Sequence, residues 1–248
     1  MSSKPVRGLR LIALTALLYA PGARSVLAQQ QEAAGFQLRW WHAALALGAY
    51  GAFTTLDDEI QSFVRENRTE SGNQAASVFK RMGQPEVFAS VGLGVLVTGM
   101  IAGDDRIRQA GARISTSLAL AGGMVTVAKF VVGRSRPSVA HDADDFAPFS
   151  GNSSAPSGHT AMAFALAASL SDEIHNTWAG LALYTAAAGT AWSRVNDNAH
   201  WASDVIAGAA VGIVSARFIN GRIRLFGMRS PLIRPTTEGI ALGWSGDF

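Results

Sequence analysis

Six apolar segments, most of them 12–17 residues long, follow one another within Trp40–Ile219. They are rich in Ala, Gly, Leu and Val, exceed ten residues and lack proline, which favours helices over strands. One of them, Val87–Gly103, runs for 17 residues without a charge. Small residues four apart, such as Gly208 and Gly212, let helices approach closely. The pattern predicts an all-α fold, an antiparallel bundle of about six helices.

The predicted bundle occupies most of the chain. No linker interrupts residues 40–220, so the 248 residues are expected to form one domain, with boundaries at 40–225. The predicted helices are Trp40–Leu56, Val87–Gly103, Ile114–Val132, Ser157–Leu170, Trp178–Trp192 and Trp201–Ile219. The polar section Asp57–Pro85 lies outside them, and Asp104–Arg113 is interpreted as a short charged turn.

Both ends of the chain differ from its body. Residues 1–28 combine a basic start, an apolar run within Leu9–Ala20 and compact residues before Gln29, which is typical of a signal peptide. A first transmembrane helix is the disfavoured alternative, because Pro21 and Arg24 interrupt the run short of the about 20 residues that a span needs. A polar stretch follows at 29–39. The tail, 226–248, contains alternating apolar residues that predict a short strand.

The composition narrows the functional classes. The chain has no cysteine, which excludes disulfides and thiolate metal sites. Hydrophobic residues make up 48%, charged residues 16%, and the mean hydropathy is +0.18, between the values of soluble domains and polytopic membrane proteins. A late run of arginines contributes much of the net charge of +3. Such a run favours anionic lipid or a solvated face over nucleic-acid binding.

Three polar segments stand out against the apolar background: KFVVGRSRP (129–137), PSGH (156–159) and SRVNDNAHWASD (193–204). They supply the cations Lys129, Arg136 and Arg194, the histidines His159 and His200, and the carboxylate of Asp204. Three fixed cations suit a group that carries about two negative charges, of which phosphate is the common one. Two histidines suit a reaction that needs one nucleophile and one proton donor.

Each block lies at an end of a predicted helix. Lys129 and Arg136 flank the end of one helix, Ser157 opens the next, and His200 precedes the last. The free N–H groups and the dipole of a helix start favour an anion. Because successive helices of an antiparallel bundle reverse direction, the three blocks are expected at the same end of the bundle.

The three blocks resemble the signature of the type 2 phosphatidic acid phosphatase (PAP2) family: Lys-x6-Arg-Pro, Pro-Ser-Gly-His and Ser-Arg-x5-His-x3-Asp. Every signature position matches, in the same order, with 18 and 33 residues between the blocks. The resemblance covers roughly residues 86–220. A lone PSGH would be weak evidence, whereas three ordered blocks are a specific signal.

The resemblance implies a role for each signature residue. Phosphate would be held by Lys129, Arg136, Ser157, Gly158 and Arg194. His200 would attack phosphorus and form a phosphohistidine, Asp204 would accept a proton from its imidazole, and His159 would protonate the leaving oxygen and then activate water. No metal or cofactor is expected, because the cations neutralise the phosphate and no cluster has metal-ligand spacing. Arg134 and Ser135 occupy variable positions and are assigned no role.

The resemblance implies an exported, metal-independent phosphatase that acts on lipid phosphates such as phosphatidate or a polyprenyl diphosphate. The family also includes bacterial non-specific acid phosphatases and vanadium haloperoxidases, so a soluble periplasmic acid phosphatase or, less favoured, a haloperoxidase with vanadate in the same cradle are the alternatives. A membrane scaffold or lipid binder is the non-enzymatic alternative, which the two histidines disfavour because binding needs no nucleophile. The expected partners are a phosphorylated lipid or small phosphate ester and the membrane, and no nucleic acid.

The apolar runs fit more than one topology, since most are at or below the usual span length. Six spans that start inside would leave the arginine-rich tail and Arg106–Arg113 in the cytoplasm, as the positive-inside rule favours, and the site outside. A cleaved signal peptide followed by six spans would place the site inside. These two topologies conflict, so either residues 9–28 are not cleaved or some helices do not span. In either case we predict a cell-envelope protein whose site faces the periplasm, with a soluble periplasmic protein as the alternative.

Overall fold

The computed structural model describes residues 36–140, 142–236 and 239–244. Eight helices and two small sheets lie in this part of the chain. The helices are α1 (Trp40–Thr54), α2 (Asp57–Glu66), α3 (Glu70–Met82), α4 (Pro85–Ala102), α5 (Asp105–Val132), α6 (Gly158–Ile174), α7 (Thr177–Asn196) and α8 (Ala202–Ile219). The strands are β1 (Phe36–Leu38), β2 (Ile223–Leu225), β3 (Leu232–Thr236) and β4 (Gly239–Gly243). The predicted signal peptide at 1–28 lies outside the described residues.

The centre of the bundle is α6, which contacts α5, α7 and α8. Ala165 of α6 packs with Ile114 and Leu118 of α5 in the main apolar cluster. Gly212 of α8 lies directly against α6, since a Cβ built on it would stand 2.2 Å from the carbonyl oxygen of Ala161. The all-helical bundle is confirmed, and small residues bring its helices together.

The polar section Asp57–Pro85 is helical and adds two helices to the about six that the apolar runs predict. It forms α2 and α3, and Thr69 caps α3 by accepting a hydrogen bond from the amide of Gly72 at 3.0 Å. Neither helix contains an apolar run, so the apolar-segment criterion missed them. Their buried residues include Asp57 and Gln61 of α2, which shows that α2 docks through polar contacts.

The interpretation of Asp104–Arg113 as a turn is wrong for most of its length, because α5 already begins at Asp105 and is 28 residues long. Asp104 is the N-cap, and its carboxylate accepts hydrogen bonds from the amides of Arg106 and Ile107 at 2.8 and 3.1 Å. A capped first turn can be highly charged because its side chains are exposed to solvent. The helix ends at Gly133, whose φ is +59°.

Three of the described helices, α4, α5 and α8, are long and apolar enough to cross a membrane. Their outer faces carry large apolar side chains that nothing in the described chain covers, among them Ile101, Val127 and Ile206. The shorter α1 buries none of its residues and exposes Leu47 at 71%. A helix that is apolar on its outer face suits a lipid environment.

Two small sheets lie beside the bundle. β1 pairs with β2 in parallel, and β3 pairs with β4 in antiparallel register, with Ile233 opposite Leu242. Gln109 of α5 donates a hydrogen bond to the carbonyl oxygen of Ile233 at 2.8 Å, which fastens β3 to the helix. The strand predicted in the tail corresponds to β4.

Candidate active site

The first block places two cations around one backbone bend. The positive φ of Gly133 turns the chain, and a Cβ there would lie 1.8 Å from the carbonyl oxygen of Ala147, so only glycine fits. Lys129, in the last turn of α5, donates its Nζ to the carbonyl oxygen of Ser153. Arg136, beyond the bend, donates to the Oγ of the same serine at 3.3 Å. The two cations therefore converge near Ser153.

The second block begins α6, with Ser157 as the N-cap residue. The amide of Ser157 donates to the carbonyl oxygen of Asp204 at 2.9 Å, and its Oγ accepts a hydrogen bond from Thr160 at 3.0 Å. The Ser157 amide is therefore committed to α8 and is not free for an anion. The amides of Gly158 and His159 follow in the first helical turn, where N–H groups have no partner within the helix.

The third block fixes Arg194 and His200 relative to each other. Arg194, in the last turn of α7, accepts the amides of Ala199 and His200 on its carbonyl oxygen at 3.0 and 3.2 Å. Its guanidinium donates to the carboxylate of Asp197 at 2.6 Å, and Lys80 of α3 lies 3.5 Å from the same carboxylate. The loop that carries His200 is thus tied to both α7 and α3.

His200 lies next to Asp204, with 3% of its surface exposed. Its Nδ1 is 3.7 Å from Oδ2 of Asp204, slightly beyond hydrogen-bond distance, and has no hydrogen-bond partner within the described residues. The Oδ2 atom accepts hydrogen bonds from Ser154 Oγ at 2.5 Å and from the amide of Trp201 at 3.1 Å. A small rotation of the imidazole would complete the pair that the sequence predicts.

Arg134, at a variable position of the first block for which the motif predicts no role, is fully buried directly behind this pair. It forms ion pairs with Asp204 at 2.7 Å and with Asp57 at 2.8 Å, and its guanidinium packs over the ring of Trp201. Asp57, the first residue of α2, was likewise not predicted from the sequence to belong to the site. Nothing in a single sequence pairs two residues that lie 77 positions apart.

Burial and neighbouring cations keep both histidines neutral near pH 7. Burial lowers the pKa of His159 to about 4, together with the positive charges of Arg194 and Arg136 and the proximity of His200, while Glu86 at the start of α4 opposes the shift. Burial also lowers the pKa of His200. The positive charges of Lys129 and Arg136 lower it further, while the carboxylate of Asp204 raises it and so opposes part of the shift.

Hydrogen bonds from Lys129 and Arg136 to Ser153, and from Ser154 and Ser157 to Asp204, bring parts of the three blocks together at one end of the bundle. A neutral imidazole among three cations has a free lone pair that can act as a nucleophile. Within the part of the chain that the structure describes, no group of His, Asp or Glu side chains is arranged to hold a metal ion.

Residues 110–224 match the sequence model of the PAP2 superfamily, and this range contains all three blocks. This part of the chain is therefore similar to the PAP2 superfamily. The match excludes α1 to α4 and the C-terminal hairpin β3–β4, so Asp57 lies outside the region that the family model describes.

Two known proteins resemble this chain. A lipid A 1-phosphatase of Porphyromonas gingivalis is 46% identical over 99 residues, which cover 39% of this chain but only 20% of that relative's length. The crystal structure of Aquifex aeolicus LpxE has the same fold, with a TM-score of 0.52 and 22% sequence identity, covering 65% of this chain and 92% of that one.

Proposed function

We propose that the protein is a metal-independent phosphatase that hydrolyses phosphate monoesters or diphosphates of membrane lipids through a phosphohistidine. The observation that carries the proposal is the buried, neutral His200 next to Asp204, together with a second neutral histidine and three cations. A lipid scaffold would need none of this arrangement, because binding alone requires no nucleophile.

In this mechanism, Lys129, Arg136 and Arg194 hold the phosphoryl oxygens, and the amides at the start of α6 add donors. The Nε2 atom of His200 attacks phosphorus as the bond to the leaving oxygen breaks, and His159 gives that oxygen a proton. Asp204 stabilises the positive imidazole that forms. His159 then takes a proton from water, which attacks the phosphohistidine and releases phosphate and free His200.

The outer surface of the bundle supports a lipid as the substrate. Three described helices can cross a membrane, and their uncovered apolar side chains suit hydrocarbon. A substrate anchored in the same membrane would present its phosphate at the end of the bundle. The relative named lipid A 1-phosphatase makes a glycolipid 1-phosphate the first candidate, ahead of phosphatidate and a polyprenyl diphosphate.

The charge distribution supports a site that faces the periplasm in an exported, membrane-bound protein. The site lies at the end of α5 and the start of α8, whereas Arg106, Arg113 and Arg217 lie near the opposite ends of the same helices. Basic residues favour the cytoplasmic side of a membrane protein. The arginine end of the bundle would then face the cytoplasm, and the end that carries the site would face the periplasm.

The test is phosphate release by the full chain, purified in detergent, from a lipid A-type 1-phosphate, phosphatidate, a polyprenyl diphosphate and an aryl phosphate, each with and without EDTA. We expect lipid substrates to be hydrolysed faster than the aryl ester, with full activity in EDTA. Activity on the aryl ester alone would favour the acid phosphatase, and loss of activity in EDTA that a divalent cation restores would refute the metal-free mechanism.

The His200→Asn variant should lower kcat by about 10³-fold or more, since it removes the nucleophile. His175→Asn is the matched control, because His175 is exposed at the end of α6, away from the three blocks. Rapid quenching with ³²P-labelled substrate should trap an acid-labile phosphoryl-protein in the wild type and none in His200→Asn. Normal turnover by His200→Asn would exclude the phosphohistidine.

A further inference from the structure

Asp57 is a buried carboxylate that the proposed mechanism does not use. It is the first residue of α2 and is fully inaccessible to solvent. Its Oδ2 accepts hydrogen bonds from Arg134 at 2.8 Å and from the Oγ of Ser203 at 2.5 Å, and its Oδ1 accepts the amide of Ser203 at 2.9 Å. A carboxylate is this deeply buried only when it is paired, so its partners indicate what it does.

Arg134 connects Asp57 to the site. Its NH1 donates to Oδ1 of Asp204 and to Oγ of Ser203, both at 2.7 Å, while its NH2 donates to Asp57. Its Nε and NH2 also donate to the carbonyl oxygen of Ala143, so the guanidinium is held on every side. We refer to Asp57, Arg134, Ser203 and Asp204 as the Arg134 network.

We propose that Asp57 and Arg134 are positioning residues, which hold the Asp204 carboxylate behind His200 and set the charge that it presents to the imidazole. The inference rests on the proposed function, in which His200 is the nucleophile. A planar guanidinium fixes the direction of each hydrogen bond that it makes, so a fully bonded Arg134 leaves Asp204 little freedom to turn.

The charges of the network explain why two carboxylates share one arginine. Paired with Asp204 alone, Arg134 would cancel most of the negative charge that His200 experiences. Asp57 takes part of the arginine's charge, so the network keeps one net negative charge at the site. That charge is then balanced when His200 becomes positive on attacking phosphorus.

The test compares Asp57→Asn, Arg134→Gln and the double variant Asp57→Asn/Arg134→Gln in the full chain. Glu59→Gln is the matched control, because Glu59 lies on the same helix and is exposed. Asp57→Asn should lower kcat about 10- to 100-fold, the size of effect known for residues that orient another residue of an active site. The KM should change little. Glu59→Gln should change neither constant.

The double variant separates positioning from mere support of the fold. It removes both opposite charges, so the melting temperature should recover relative to either single variant, because no buried charge is left unpaired. The kcat should stay low, since nothing then orients Asp204. Recovery of both the melting temperature and kcat would overturn the proposal. If Asp57→Asn does not fold, Ser203→Ala removes one hydroxyl of the network and should lower kcat in the same direction.

A second readout does not depend on turnover. The chain has five histidines, so ¹³C-labelled imidazoles can be titrated by NMR and His200 assigned with His200→Asn. The titratable groups that bear on His200 come from three helices and one loop: Asp204 on α8, Lys129 on α5, His159 on α6, and Arg136 in the loop after α5. All of them are unchanged in these variants.

Asp57→Asn should move the His200 titration to lower pH, because Arg134 then cancels more of the charge on Asp204, and the double variant should move it back up. An unchanged titration in a folded Asp57→Asn protein would overturn the proposal. A wild type that hydrolyses none of the four substrates would refute the proposed function alone, while the two titration shifts would still decide whether the Arg134 network sets the charge on Asp204.

Discussion

At the residue scale, the site links proton binding to anion binding. His159 has its pKa lowered to about 4 by burial and by nearby positive charges, including those of Arg194 and Arg136. A general acid must be protonated when the leaving oxygen departs. A bound phosphate dianion offsets those charges and should raise the pKa of His159. His159 would then take up a proton from solvent, which it needs to act as the general acid.

We therefore expect anion binding to be accompanied by uptake of up to about one proton at a pH between the free pKa of about 4 and the higher pKa of the bound form. Calorimetry with sulfate, a dianion that does not titrate in this range, should give heats that depend on the ionisation enthalpy of the buffer. His159→Gln should bind sulfate with less proton uptake. If the variant takes up as many protons as the wild type, another group is responsible.

The same shift affects stability in a defined pH window. Because the folded pKa of His159 lies below the unfolded value of about 6.5, the unfolded chain binds more protons between pH 6.5 and 4. His159 therefore lowers the stability of the anion-free protein as the pH falls through that window, and bound sulfate should reduce the loss.

At the scale of helices, the site depends on how closely α6 and α8 approach. A Cβ built on Gly208 of α8 would lie 2.5 Å from the carbonyl oxygen of Ser157, the N-cap of α6. That contact sets the distance between the start of α6, which carries His159, and the start of α8, which follows His200. Backbone atoms at such a contact cannot move aside as a flexible side chain would.

Gly208→Ala should consequently destabilise the protein by about 1–3 kcal/mol and lower kcat. Gly94→Ala on α4 is the matched control, since nothing lies within 4 Å of a Cβ there. Both substitutions raise the intrinsic helix propensity by the same amount, about 1 kcal/mol. The difference between the two melting temperatures therefore reports the cost of disturbing the α6–α8 contact. Equal melting temperatures for the two variants would show that the helices can separate without cost.

At the scale of the whole molecule, orientation in the membrane can be read directly because the chain has no cysteine. Val139, in the loop after α5, is 77% exposed at the end of the bundle where the site lies. Met228, beyond α8, is 52% exposed at the other end. A single cysteine at either position would provide a unique label site.

We expect an impermeant maleimide to label Val139→Cys in cells with a permeabilised outer membrane, and Met228→Cys only after the inner membrane is lysed. The physical reason is the cluster of arginines near the second position, which favours the cytoplasm. Both proteins should stay in the membrane pellet after an alkaline carbonate wash. Labelling in the opposite order would place the site in the cytoplasm, and release by carbonate would favour the soluble alternative.

The sequence by itself determined the helical architecture and singled out candidate polar residues for the site. Long apolar runs without proline have few alternatives to packed helices, and three ordered blocks at helix ends predicted where Lys129, His159 and His200 would meet. These signals are local in sequence, because each depends on the spacing of neighbouring residues. The roles of the individual residues stay predictions until the variants are measured.

Only the tertiary structure decided how these residues are held. The helices α2 and α3 lack an apolar run, and α2 is fixed by long-range polar contacts such as that of Gln61 with Asn198 at 2.6 Å. Arg134 occupies a variable position of its motif, and its pairing with Asp57 and Asp204 joins residues 77 and 70 positions away. The strength of such pairs and the pKa of a buried histidine depend on the exclusion of water, which exists only once the chain has folded.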